Sequence, residues 1–160
     1  MIKISLIVVG KIKENSIKEL LAEYEKRLSR FCDISIVEIE DEQELSDSKK
    51  DIDKVVNIES EKIIQKLAKS NDYKILLDIS GKELGSIELA EKISNIINVL
   101  NKNITFIIGG SNGVSDELKD KVDYRLSFSK LTFPHQLFRV ILLEQIYRSF
   151  KIINKEKYHK

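Results

Sequence analysis

Short apolar runs alternate along this chain with stretches in which apolar residues recur every three or four positions. Residues 2–9, 32–39, 74–79, 104–108 and 125–128 are aliphatic or β-branched and short, the pattern of strands. Between them, residues 16–31 carry Ile17, Leu20, Leu21, Tyr24, Leu28 and Phe31 on one helical stripe, and residues 52–67 carry Val55, Val56, Ile63, Ile64 and Leu67. A third helix, capped by Ser86, presents Leu89, Ala90, Ile93, Ile96, Ile97 and Leu100. Ser115 caps a short helix over residues 116–122, and a long helix covers residues 134–153 with Pro134 in its first turn. The acidic segment 40–53 has no apolar period and is expected to be a mobile loop. Alternation of this kind predicts one α/β domain over residues 1–160, a three-layer, mostly parallel sheet.

Two stretches depart from plain amphipathic patterning. The last helix spreads Leu137, Phe138, Val140, Ile141, Leu142, Leu143, Ile146, Tyr147, Phe150 and Ile153 around most of its circumference, more than one sheet face can cover. Such a helix is central in the core, shared with a second subunit, or both. The strand at 104–108 runs straight into Gly109, Gly110 and Gly113. Glycines there give a sharp turn and leave peptide groups bare to a ligand. On spacing alone a tight turn is the commoner meaning, since neither the dinucleotide fingerprint nor the phosphate-binding loop is present. Ser80-Gly81-Lys82 is expected to turn the chain at the carboxyl end of the preceding strand, the side on which open α/β sheets bind ligands.

Composition narrows the class. The 160 residues are 42% hydrophobic and 33% charged, and no apolar run reaches the ~20 residues of a membrane helix. The opening MIKISLIVVGKIKE reads as a first strand, not a signal peptide. The single Cys32 can form no internal disulfide and reads as a buried filler in a cytoplasmic protein. A net charge of +1 conceals an asymmetry: residues 119–160 hold ten Lys or Arg against four acids, residues 38–61 ten acids against three lysines. A charge run is as often a solvated face as a phosphate-binding one. Only His135 and His159 titrate naturally near neutrality. His135 beside the polar loop 129–133 reads equally well as structural, and a terminal histidine such as His159 is usually idle. Arg148 is four residues from Glu144 and should pair with it, which leaves Arg139 as the stronger active-site or RNA-contacting arginine.

The segments IIGGSNGV, LSFSKLTFPHQLFRVILLEQIYRSF and the terminal YHK, together with IVVGKIKE, AEYEKRL and LLDISGKELGS, resemble the large-subunit rRNA pseudouridine N3-methyltransferases (RlmH type) of the SPOUT class. That resemblance implies a C-terminal trefoil knot, a homodimer through the C-terminal helix, and S-adenosylmethionine as cofactor without a metal. The implied substrate is N3 of a pseudouridine in helix 69 of 23S rRNA, presented by the assembled ribosome. Carried over position by position, the cofactor would lie against Leu77, Gly109, Phe128, Ser129, Lys130, Leu131, Thr132 and Phe133. Tyr158 would stack on the target base and His159 would orient or deprotonate it; Arg139 joins them as a catalytic candidate by elimination among the arginines, not through the resemblance. The proline that often precedes the Tyr-His pair is Lys157 here, which loosens the expected tail. Two other readings are a SPOUT enzyme acting on tRNA and a non-catalytic dimeric adaptor for a nucleotide-like ligand.

Overall fold

A computed structural model describes every residue from Met1 to Lys160. Five strands and five helices alternate: β1 Lys3–Val9, α1 Asn15–Leu28, β2 Asp33–Ile39, α2 Lys49–Leu67, β3 Tyr73–Glu83, α3 Ser86–Asn98, β4 Ile104–Ile108, α4 Asp116–Asp120, β5 Tyr124–Ser127 and α5 His135–Ile153. All strand pairs are parallel, in the order β2-β1-β4-β3-β5. The apolar runs explain this. A parallel sheet buries both faces, and successive side chains must satisfy opposite layers. Ile4, Leu6 and Val8 of β1 and Ile104, Phe106 and Ile108 of β4 face one core, with α1, α3 and α5. Ile7, Val9 and Ile107 face the other, with Ile63 and Leu67 of α2 and Leu118 of α4.

Helix α5 lies in the first layer between α1 and α3, which accounts for much of its apolar girth. Leu142, Leu143 and Ile146 are fully buried, and Phe150 stacks on Phe31 with ring centroids 5.4 Å apart. Leu137 stays 40% exposed, and Ile141 is half-buried beside Leu84 and Phe133. Cys32 is buried, and burial pushes its thiol up to about 12. No helix is long and apolar enough to cross a membrane.

Four local expectations change. Helix α1 stops at Leu28, whose carbonyl accepts from the N–H groups of Phe31 and Cys32 and so turns the chain inward. Helix α2 starts at Lys49 because the Ser48 hydroxyl accepts from Asp51 N–H, so the acidic loop is shorter than its composition suggests. The cap of α3 is Gly85, whose N–H donates to the Glu88 carboxylate at 3.0 Å; Ser86 instead donates its hydroxyl to Gln145 Oε1 of α5 at 2.9 Å. Ser80-Gly81-Lys82 does not end β3. Leu77 and Lys82 both register with Leu126 of β5, and residues 78–81 bulge out between them. Gly81 is needed there because a Cβ would lie 2.7 Å from the Arg125 carbonyl.

Candidate functional site

The connection leaving β4 goes to the face opposite those leaving its two neighbours. β1 leads to α1 and β3 to α3 in one layer, whereas β4 leads to α4 in the other. Crevices open at the carboxyl ends of strands where connections diverge in this way. β4 is therefore flanked by two, one toward β3 and one toward β1, with the glycine turn between them. Gly113 takes φ +87° and closes that turn on Gly110, its N–H donating to the Gly110 carbonyl at 3.0 Å. Gly109 and Gly110 serve close approach instead. A Cβ would come within 2.5 Å of Val114 Cγ1 at the first and of Glu59 Oε1 at the second.

The crevice toward β3 and β5 is a cavity of about 360 Å³, within the range of small-ligand sites. Leu77, Gly109, Phe128, Ser129, Leu131, Thr132 and Phe133, seven of the positions that the resemblance marks out, all line it; Lys130 is exposed and does not. The loop after β5 holds its own shape. Ser127 Oγ donates to the Ser129 carbonyl, and Leu131 N–H donates to Ser129 Oγ, each at 3.0 Å. Phe128 and Phe133 pack on the ring of Phe138, at 5.1 and 5.8 Å, and so anchor both ends of the loop to α5.

Two further wall residues were not legible from spacing, Asp78 and Lys119, and His135, already a candidate beside the loop, joins them. Asp78 reaches the wall through the bulge. Burial works to raise its carboxyl, but the N–H and hydroxyl of Ser80, with the charges of Lys119 and Arg125, outweigh this and hold it below the usual range. Burial also pushes the His135 imidazole below its ordinary value. A hydrogen bond with the Gly109 backbone opposes that shift and the charge of Arg139 adds to it.

The crevice toward β1 is a polar groove of about 250 Å³. Lys11 and Lys13 line it together with the acidic residues Asp41, Glu42 and Glu44, and Gly110, Ser111, Asn112 and His135 are shared with the first cavity. The acidic segment thus folds beside the site, tied down by the Glu42 N–H bond to Glu59 Oε2 and by the Lys62–Glu42 ion pair.

Arg139 lies deeper than a phosphate-contacting side chain would. It is 2% exposed; Nη1 donates to Glu38 Oε2 at 3.0 Å, and Nη2 donates to the carbonyls of Val9 at 3.3 Å and Gly10 at 2.6 Å. The guanidinium is committed within the chain, binding α5 to the ends of β1 and β2. Arg148 pairs with Glu144 at 2.6 Å, as the i,i+4 spacing predicts.

The tail folds back along the far half of α5. Tyr158 packs edge-on against Tyr147 at 5.0 Å and donates its hydroxyl to Glu144 Oε1, while His159 Nδ1 sits 3.2 Å from Arg148 Nη1. The Tyr158 phenol is pushed up to about 12 by burial and by the Glu144 carboxylate. Arg148 and Phe138 are ten residues apart on one helix, about 15 Å at 1.5 Å per residue. The tail and the cavity are therefore not brought together within one chain.

Residues 2–159 match a family described as "Predicted SPOUT methyltransferase". The chain is similar to the protein named ribosomal RNA large subunit methyltransferase H of Finegoldia magna, 52% identical over 160 residues, covering 98% of this chain and 99% of that one. It is also similar to the protein of the same name from Clostridioides difficile, 49% identical over 158 residues with the same coverage. Among solved structures, a probable methylase family protein from Haemophilus influenzae superposes with a TM-score of 0.54 at 14% identity, over 98% of this chain and 70% of that one, a likeness of fold.

Proposed function

The chain belongs to the SPOUT methyltransferase family, and from that premise we propose that it methylates N3 of a pseudouridine in helix 69 of large-subunit rRNA, using S-adenosylmethionine. The observation that carries this reading is the cavity between β3, β4 and β5, whose walls are the residues expected to hold the cofactor.

The cavity suits that cofactor chemically. Leu77, Ile108, Leu126 and Phe138 provide apolar walls for an adenine ring, and the bare backbone of Gly109 and Gly110 and the loop of residues 128–133 offers amides to its polar edges. Asp78, held ionised, is placed to meet a cationic or hydroxyl group. When bound, the cofactor supplies an electrophilic methyl carbon on a sulfonium, so the enzyme needs neither a metal nor a covalent intermediate. The chain's own contribution is alignment: Phe133 and Phe138 fix the loop, and Arg139 fixes the start of α5 on β1.

The target nucleotide is held by the tail. Tyr158 offers a ring for stacking and His159 a hydrogen bond, and because they lie some distance along α5 from their own cavity, the reading pairs them with the cavity of a second chain. A homodimer through α5 is the assembly that does this. The partly uncovered Ile141, Leu137 and Phe133 supply its apolar surface. The family's trefoil knot, the assembled ribosome as substrate and a cytoplasmic location belong to the same proposal.

Removing residues 158–160 tests it. The truncated enzyme is expected to bind S-adenosylmethionine as the full chain does and to lose methyl transfer to ribosomes by about a hundredfold or more. Mixing it with a full-length chain carrying a blocked cavity, such as Gly109→Leu, should restore part of the activity. Normal turnover by the truncated chain would remove the tail from the mechanism.

A further inference from the structure

The groove between β1 and β4 has a buried carboxylate, Glu59, among its lining residues. Glu59 falls on the apolar stripe of α2, four residues after Val55 and four before Ile63, and is 4% exposed. Its Oε2 accepts from Glu42 N–H at 3.0 Å. Its Oε1 has no partner within the chain and lies against Gly110, where a Cβ would come within 2.5 Å. No side-chain oxygen in the molecule is both sealed from solvent and without a partner, so Oε1 is open to the groove that Glu59 lines. Open to the groove, that acceptor is free to exchange water for the donor of a ligand seated there.

The groove's place and size restrict that ligand. It is the second of the two crevices flanking β4, and it shares Gly110, Ser111, Asn112 and His135 with the methyl-donor cavity. At about 250 Å³ it is smaller than that cavity, suited to one ring and not to a nucleotide cofactor. A uracil-type imide presents an N–H between two carbonyls. The groove offers the complement: the Glu59 acceptor, the Nε2 of Gln136, whose Oε1 is occupied by Lys13 N–H at 3.2 Å, and the exposed ammonium groups of Lys11 and Lys13.

We infer that this groove seats the acceptor imide ring of the RNA with its N–H against Glu59 Oε1, and that Glu59 takes that proton as the methyl group is transferred. The inference rests on the methyltransferase reading above. The N3–H bond breaks and its proton passes to the carboxylate. The pair left on nitrogen forms the new N–C bond, and the C–S bond breaks with sulfur keeping its electrons and losing its charge. The carboxylic acid then returns its proton to water. Glu59 suits that part because burial, first, pushes its carboxyl above the ordinary value. The Glu42 N–H bond opposes this, the charges of Asp41 and Glu42 reinforce it, and Lys62 opposes it. Asp41, Glu42, Glu44, Lys11, Lys13, His135 and Arg139 line the same groove as the carboxyl.

The test is Glu59→Gln, which preserves shape and an acceptor for Glu42 N–H, with single-turnover methyl transfer to ribosomes followed across pH. Expected are cofactor affinity within twofold of the parent, a rate lowered by about a hundredfold or more, and loss of the acidic limb through which the parent's rate rises as a carboxyl ionises. Glu59→Asp should keep that limb at an intermediate rate, and it serves as well should the glutamine variant fold poorly. A Glu59→Gln enzyme within threefold of the parent, or one slowed but with the parent's pH limb intact, overturns the inference and leaves the methyltransferase reading standing. A parent enzyme that labels no ribosome overturns both.

Discussion

His135 stands where both crevices meet, and its environment favours the neutral imidazole. The folded protein holds its pKa below the ordinary 6.5, through burial first and the nearby Arg139 charge second, against the Gly109 backbone bond. Below that pH the unfolded chain binds a proton that the folded chain resists, so ∂ΔG/∂pH for unfolding is positive. The contribution of His135 is fully present above about 6.5 and is lost as pH falls from there through the lowered folded value. Urea melts at stepped pH should show stability falling across that window, and His135→Gln should flatten the slope. An unchanged slope in the variant would place a different group in charge of it.

At the scale of elements, α5 is held at its start by one side chain. Arg139 satisfies two strand-end carbonyls and Glu38, so Arg139→Met leaves those carbonyls without donors. The expected cost is about 2–4 kcal/mol of stability, together with weaker cofactor binding because Phe138 and His135 shift with the helix. Equilibrium unfolding measures the first and calorimetric titration the second; a loss under about 0.5 kcal/mol would contradict the tie. Much of this level was legible beforehand. The β4 run and the long last helix emerge where apolar spacing puts them, because burial on two faces admits few alternatives. The β3 bulge was hidden, since pairing Leu126 with both Leu77 and Lys82 is an agreement between distant strands that neither strand's composition records. The start of α2 was masked by its acids, although Ser48 and Asp51 form an ordinary cap. Seven of the eight positions that the resemblance marks out lie on the cavity wall, whereas Asp78 and Lys119 arrive through bulge and packing. Glu59 had a visible signal, a carboxylate on an apolar stripe, and its neighbours on α2 concealed it as one more acid in an acidic run. Elimination among the arginines points to Arg139 as functional, whereas its burial makes it a positioning residue.

For the whole molecule, the arrangement divides the work across one strand. β4 sends its connection to the opposite layer from both neighbours, and the two resulting crevices sit on either side of a turn only a few residues long. An in-line methyl transfer requires the acceptor nitrogen in direct contact with the methyl carbon, so donor and acceptor meet where the two crevices share Gly110, Ser111, Asn112 and His135. The charge distribution fits a shaped partner better than a bare polyanion. The acidic segment lies beside the groove with Lys11 and Lys13, so sequence-blind attraction to phosphate is weak there, and recognition falls to the fit of a folded RNA surface.

The most direct measurement is transfer of labelled methyl from S-adenosylmethionine to intact ribosomes, to ribosomes lacking the target pseudouridine and to free tRNA, followed by mass mapping of the labelled fragment. The account predicts label only on intact ribosomes, confined to one fragment of helix 69 and located at N3 of its pseudouridine. Label on tRNA, on pseudouridine-free ribosomes, or on no RNA at all despite cofactor binding would contradict it.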